Sequence, residues 1–332
     1  MTSALLTDLA APDAAASPPF MSMRNITKRF PGVVALDDVS FDVHVGQVHG
    51  LVGENGAGKS TLVKIMSGIY TEYEGSMLME GKPVAFDNTR EAIDSGVAMI
   101  HQELNLVPEL SVFENIFLGR EIKTRLGTID RGAMRKAAQA LMSRLGLDID
   151  TNRTIDRLRV SQRQLVEIAK ALSLDTRVIV MDEPTSALSD SEVEYLFGVV
   201  RGLREHHVAV IYISHRLDEV YAIADLVTVL RDGRVVGSGL AGKLPRRELI
   251  SMMVGRDLDV LYPKEPVEPG EEVLRVEGLT YMQGRKHVLD DVSVTVRQGE
   301  IVGVAGLMGA GRTQLLEAIF GAYPPESLRG NI

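Results

Sequence analysis

The stretch Gly53-Glu54-Asn55-Gly56-Ala57-Gly58-Lys59-Ser60, followed by Thr61, has the spacing G-x-x-x-x-G-K-[ST]. Its glycines let backbone N–H groups turn inward around anionic oxygens, Lys59 can neutralise terminal phosphates, and the Ser60 hydroxyl can ligate Mg2+. A glycine-rich turn before a helix would need none of this. The stretch lies between the apolar run "QVHGLVG" and the helical pattern "KSTLVKIMSGI", with Leu62, Ile65 and Met66 on one face. That is where a nucleotide-binding loop belongs.

A second apolar run, "RVIVMDEP", ends in Asp182 and Glu183. In isolation such an acidic pair reads as a solvated turn or helix cap. Beside a phosphate loop it fits a metal and water site, in which Asp182 holds Mg2+ through water and Glu183 polarises the attacking water. Pro184 is expected to bias Glu183 toward an extended backbone. Gln102 and His215 are weaker signals, because a lone glutamine is usually at the surface and a lone histidine at a strand end is more often structural.

Positioning these groups calls for a scaffold in which apolar strands alternate with helices. "QVHGLVG", "RVIVMDEP" and "VAVIYISH" are such strands, and they predict an α/β fold with a mainly parallel sheet and ligands outside its carboxyl edge. "MSMRNITKRF" and "LDDVSFDV" predict an antiparallel β subdomain, "RGAMRKAAQALMSRLGL" an inserted helical subdomain over about residues 103–160, and Asp232-Gly233 a hairpin turn.

A shift of 253 residues lays the chain on itself. Leu36–Ser40 and Leu289–Ser293 both read LDDVS, and Gly46 meets Gly299, Gly53 meets Gly306, Gly58 meets Gly311 and Lys59 meets Arg312, followed by Thr313. The expected organisation is an Ala/Pro/Ser-rich disordered extension over 1–20, a first nucleotide-binding domain over 21–258, a Pro/Glu-rich linker over 259–271, and over 272–332 the truncated start of a second domain with a degenerate loop. The second copy stops at Ile332, before its sheet could be complete, and at equal size would run to roughly residue 500.

The 332 residues include no cysteine, which excludes disulfides and thiolate metal sites. A net charge of −9 weighs against broad binding to nucleic acid. No apolar run approaches the roughly 18 residues of a membrane-spanning helix, so no direct membrane insertion is expected.

In this order the motifs resemble the ATP-binding-cassette (ABC) ATPases, which are P-loop NTPases, and the resemblance runs from Met21 to about Gly255 and resumes at Val273. It implies Phe30 stacked on adenine, ATP held by Gly53–Thr61, Gln102 at the metal and water, His215 at the γ-phosphate, and Asp190 along a dimer seam. The family signature LSGGQ stands here as Leu158-Arg159-Val160-Ser161-Gln162. Arg159 cannot reproduce the serine hydroxyl, whereas Ser161 in place of glycine is a milder change. Cassettes of this family face each other head to tail, so Arg159 and Arg312 would fall in one composite site. Arginine keeps the charge of Lys59's counterpart, but its planar head does not fit a cradle shaped for an ammonium. The site built on Lys59 would remain competent.

"IHQELNLVPELSVFENIFLGRE", "LVEIAKALS" and "VAGLMGAGRT" are further similar to the tandem ATP-binding subunits of bacterial importers for ribose, galactose, xylose and related monosaccharides. The resemblance implies ATP and Mg2+ as cofactors and a peripheral place on the cytoplasmic face of the inner membrane. It implies as partners a membrane permease, a second cassette and, indirectly, an extracytoplasmic sugar-binding protein. Two alternatives stand beside it: a regulatory or inactive cassette needing a partner, and a soluble non-transport cassette. The latter usually carries a long charged linker, coiled coils or cysteine–zinc modules, none of which occurs in this sequence.

Overall fold

The computed structural model describes residues 18–100, 105–174, 176–186, 188–255, 267–283, 286–307 and 309–332. The chain divides into two compact units, Met1–Leu261 and Tyr262–Ile332, the division falling within the segment expected to be a linker.

In the first unit, β1 (Met21–Phe30) and β2 (Val33–Val43) pair antiparallel. After β3 (Val48–Val52), the glycine loop and α1 (Lys59–Met66), the chain returns with β4 (Glu74–Met79) and β5 (Lys82–Val84). These complete a four-stranded sheet of order β2-β1-β4-β5. The expected extension over 1–20 is too long at its end. Phe20 is buried, its N–H donates to the Val43 carbonyl at 2.9 Å, and its own carbonyl accepts from Glu80 N at 2.7 Å. Residues 1–17 lie outside the described part.

Beyond α2 (Thr89–Asp94), the main sheet gains β6 (Val97–Ile100), β7 (Val178–Asp182), β8 (Ala209–Ile213), β9 (Leu226–Arg231) and β10 (Arg234–Leu240), in the order β10-β9-β3-β8-β7-β6. All neighbours are parallel except the β9–β10 hairpin, whose Asp232 and Gly233 both have positive φ. Both faces of this sheet are covered, so its strands read as unbroken apolar runs. Alternate residues of β7 and β8 show it: Val178, Val180, Ala209, Ile211 and Ile213 pack toward α1 and the antiparallel sheet. Ile179, Met181, Val210 and Tyr212 join Val193, Leu196, Phe197 and Val200 of α6 (Asp190–Glu205) on the other face.

The helical insertion comprises α3 (Val112–Ile116) and α4 (Arg131–Arg144), closed by α5 (Val160–Leu172). Glu114 accepts the Ser111 N–H at 2.9 Å to cap α3, and Asp130 accepts the Ala133 N–H at 2.9 Å to cap α4. The closing helix belongs to both layers, since its Val166 and Ala169 pack on Phe113 and Met142 while Ile168 and Leu172 pack on the main sheet. Two further helices, α7 (Leu217–Ile223) and α8 (Arg246–Val254), pack with Val227 and Val229 of β9.

The second unit repeats the antiparallel part of the first down to single hydrogen bonds. β11 (Glu272–Gln283), β12 (Lys286–Arg297) and β13 (Leu328–Asn331) form an antiparallel sheet of order β12-β11-β13, beside α9 (Arg312–Phe320). Asp38 N donates to Thr27 Oγ1 at 3.1 Å, and Asp291 N donates to Thr280 Oγ1 at 3.1 Å. Asp38 and Asp291 both adopt positive φ, +57° and +52°. The run Ile301–Leu307, the counterpart of β3, forms no strand, and Ile301 is 98% exposed. β3 is held between β8 and β9, whereas the described strands of the second unit form only the antiparallel sheet β12-β11-β13. Among the described residues of the whole chain, no helix is long and apolar enough to cross a membrane.

Candidate active site

Three neighbouring strands, β3, β8 and β7, end at one edge of the main sheet and each delivers part of the site. After β3 the chain turns through the glycine loop. A Cβ on Gly53 would lie 2.1 Å from the Leu230 carbonyl oxygen, and one on Gly58, at φ +104°, would lie 2.7 Å from that of Ala35. Only glycine fits at either point. Lys59 begins α1, is 8% exposed, and donates from Nζ to the Gly53 and Glu54 carbonyls at 2.8 and 2.9 Å. Burial pushes the lysine's pKa below its ordinary value, with the charges of Glu183 and Asp182 opposing.

Ser60 Oγ donates to Asp182 Oδ2 at 3.4 Å, joining the helix start to the end of β7. Burial raises the Asp182 carboxyl above its usual range and the Glu183 charge adds to this, while Ser60, Lys59 and Lys64 pull it back. A cavity of about 390 Å3 is lined by Ala35, Asn55, Gly56, Ala57, Gly58, Lys59, Ser60, Thr61, Asp182 and Glu183. Seven consecutive loop and helix residues and both carboxylates thus face one space.

Glu183 departs from expectation. Its φ is +49°, left-handed rather than extended. A following proline disfavours the right-handed helical region, but here tertiary hydrogen bonds select the turn: Glu183 N–H donates to Ile213 O at 3.0 Å, and Ser186 N–H donates to Glu183 O at 3.3 Å. From β8, His215 brings Nδ1 to 3.2 Å from Glu183 Oε1. His215 and Glu183, 32 positions apart in sequence, therefore meet at the cavity edge.

Phe30 is not brought to the cavity wall. It is half-buried with its ring edge-on to Tyr70, centroids 5.3 Å apart, and the Lys28 ammonium lies 5.2 Å from its centre. Gln102 and the first residues of the expected helical insertion, 103 and 104, lie outside the described part. Arg159 precedes α5 and donates its N–H to Gln162 Oε1 at 3.1 Å. Ser161 and Gln162 line a different hollow, with Leu188 and Glu192. There hydrogen bonds from Ser161 and Ser189 pull the Glu192 carboxyl down to about 2. Within one chain none of Leu158, Arg159, Val160, Ser161 and Gln162 lines the cavity of Lys59. In the second unit a Cβ on Gly311 would lie 2.7 Å from the Val288 carbonyl oxygen, repeating Gly58, but Arg312 is exposed where Lys59 is buried.

The residues that sequence reasoning missed lie directly behind the site. Glu219 of α7 is 3% exposed, and its carboxylate lies 2.8 Å from Thr185 Oγ1, 2.8 Å from Ser214 Oγ, 3.0 Å from the Tyr212 hydroxyl and 2.8 Å from Arg216 Nη1. Each hydroxyl reads as ordinary in sequence. The available signal was that Thr185 and Ser214 are close neighbours of Glu183 and His215.

Residues 36–186 match the family model described as ABC transporter. A ribose import ATP-binding protein of Rubrobacter xylanophilus is 55% identical over 309 residues, covering 93% of this chain and 61% of that protein. The chain belongs to the ABC ATPases. A ribose import ATP-binding protein of Streptomyces coelicolor is 50% identical over 310 residues, 93% of this chain and 61% of its own length. A relative from Burkholderia lata, 48% identical over 318 residues, 96% of this chain and 60% of its own, carries ribose, galactose and methyl galactoside together in its name. The chain thus spans about three fifths of the length of the curated relatives it matches. Among solved structures, a nucleotide-free ATP-binding cassette from an ABC transporter superposes with a TM-score of 0.63 at 27% identity, over 74% of this chain and 98% of that one. An ABC cassette in its ADP conformation gives 0.64 at 26%, over 72% and 100%.

Proposed function

We propose that this ABC ATPase is the ATP-binding and hydrolysing component that energises a bacterial importer of a monosaccharide. The observation that carries the ATPase part is the meeting of Lys59, Ser60, Asp182, Glu183 and His215 at one edge of the sheet. The ribose names of the relatives support the sugar.

ATP phosphates would occupy the loop Gly53–Thr61, with Lys59 exchanging its contacts to two loop carbonyls for contacts to the terminal phosphates. The oxygen donors Ser60 and Asp182, facing each other across 3.4 Å, suit Mg2+, and the raised carboxyl of Asp182 beside a second carboxylate fits a place that a cation would relieve. Bound there, Mg2+ would neutralise charge developing on the phosphates. Glu183 takes a proton from the attacking water, and His215 orients the γ-phosphate end of the site. Gln102 remains assigned to the metal and water, and Phe30 to the adenine, by resemblance alone.

The partners that follow are a membrane permease, a second cassette supplying its signature to the Lys59 site, and a sugar-binding protein that acts outside the membrane. The chain itself would sit peripherally on the cytoplasmic face of the inner membrane. Uptake of radiolabelled ribose, galactose and xylose, compared between cells with and without this chain, tests the assignment. Uptake of at least one should fall to background while amino-acid uptake holds. Undiminished uptake of all three would remove the sugar reading.

The two loops are expected to bind unequally. Losing a charge-assisted contact of the kind Lys59 offers costs about 1.5–3 kcal/mol, so nucleotide at Arg312 should bind roughly ten- to a hundredfold more weakly. Calorimetric titration of the chain should show one tight site, with Arg312→Lys strengthening the second. Two equal sites in the unaltered chain would contradict the asymmetry.

A further inference from the structure

The hydrolysing residue Glu183 sits in a backbone conformation that a side-chain-bearing residue adopts only when its surroundings hold it there. Two holds are visible. On its amino side, Glu183 N–H is bonded to the Ile213 carbonyl. On its other side, two residues on, Thr185 is buried with its hydroxyl 2.8 Å from both oxygens of Glu219. The same carboxylate accepts from Ser214, which is 2% exposed and immediately precedes His215. A bond from Arg216 N–H to Ser214 Oγ at 3.0 Å closes the turn on the far side of His215. One buried carboxylate thus ties together the two segments that carry Glu183 and His215.

We infer that Glu219 is a positioning residue for hydrolysis: through Thr185 and Ser214 it fixes the separation and aim of Glu183 and His215, without touching nucleotide. The proposal rests on the ATPase reading of the site. A carboxylate with several strong donors has little freedom to shift, and Glu219 already holds three hydroxyls and a guanidinium. Its location therefore dictates where Thr185 and Ser214 settle. Displacing a water-activating group by about 1 Å is enough to cost on the order of a hundredfold in rate. Phosphate binding depends on the loop and Lys59, which Glu219 does not contact, so affinity and turnover should separate.

Thr185→Val removes the hydroxyl while keeping shape, and leaves Glu219 its bonds to Ser214, Tyr212 and Arg216, so the core stays satisfied. Thr185→Ser restores the donor. In the full chain, Thr185→Val should lower ATP turnover roughly ten- to a hundredfold while a fluorescent ATP analogue binds as before, and Thr185→Ser should recover most of the loss. Amide hydrogen exchange gives a readout independent of turnover. The amides of Glu183 and Ser186 should exchange roughly ten- to a hundredfold faster in Thr185→Val, with the amides of β8 still protected. Unchanged exchange at Glu183 and Ser186, or a loss of protection spread evenly over the sheet, overturns the inference. An unaltered chain that binds ATP but releases no phosphate, alone or with a partner cassette, would overturn the ATPase reading instead, and the exchange data would still decide the anchoring.

Discussion

Glu183→Gln should leave ATP bound and slow its hydrolysis by roughly 10²–10⁴-fold, the scale of a lost general base. The substitution conserves length and volume and keeps an oxygen toward His215, so the turn at φ +49° and its bonds to Ile213 and Ser186 have no reason to change. What disappears is the capacity to accept a proton from water. Removing one of two adjacent carboxylates should also ease the Asp182 carboxyl back toward its usual range, since the Glu183 charge is one of the influences raising it. Nucleotide binding should therefore hold or tighten. Phosphate release measured beside filter binding of labelled ATP separates the two effects. Turnover at the level of the unaltered chain would exclude Glu183 as the base.

Lys59→Met should abolish most of the nucleotide affinity while leaving the empty fold intact. The loss is of charge-assisted contacts to phosphate worth about 1.5–3 kcal/mol, hence at least roughly ten- to a hundredfold in dissociation constant. The empty protein behaves differently because the lysine's folded pKa is depressed by burial. A cation with a depressed pKa destabilises the folded state at every pH below that value, and the penalty is relieved only as pH rises toward the ordinary lysine range. Methionine removes that penalty at neutral pH, at the cost of two loop carbonyls losing a donor. Thermal melting with and without ATP checks both halves. The apo midpoint should stay close to that of the unaltered chain, and the upward shift produced by ATP should vanish. A retained shift would show that the phosphates are held elsewhere.

The parts of this molecule that sequence disclosed are those whose local pattern has a single physical use. The loop around Gly53 and Gly58, the apolar runs of β7 and β8, and the LDDVS repeat each carry their meaning within a few residues. β4 and β5 did not, because only Met77 among their residues is buried and their register comes from pairing, β4 with β1 and β5 with β4. The backbone of Glu183 was misjudged for a related reason. Pro184 speaks only to its neighbour's intrinsic preference, whereas the deciding bond comes from Ile213 in another strand. Glu219 was invisible because a glutamate on a short helix looks solvent-facing until its three hydroxyl partners are assembled from separate segments.

The central place of β3 has a consequence for biogenesis. His49 is bonded to Thr228, 179 positions later in the chain, and Val48 N–H to the side chain of Asp225. The Gly53 turn itself closes against Leu230. At a synthesis rate of about 5–20 residues per second, the finished loop must wait on the order of ten to thirty-five seconds for the strands that flank it. During translation β3, buried along its whole length in the finished sheet, is therefore an apolar segment made well before the strands that cover its edges.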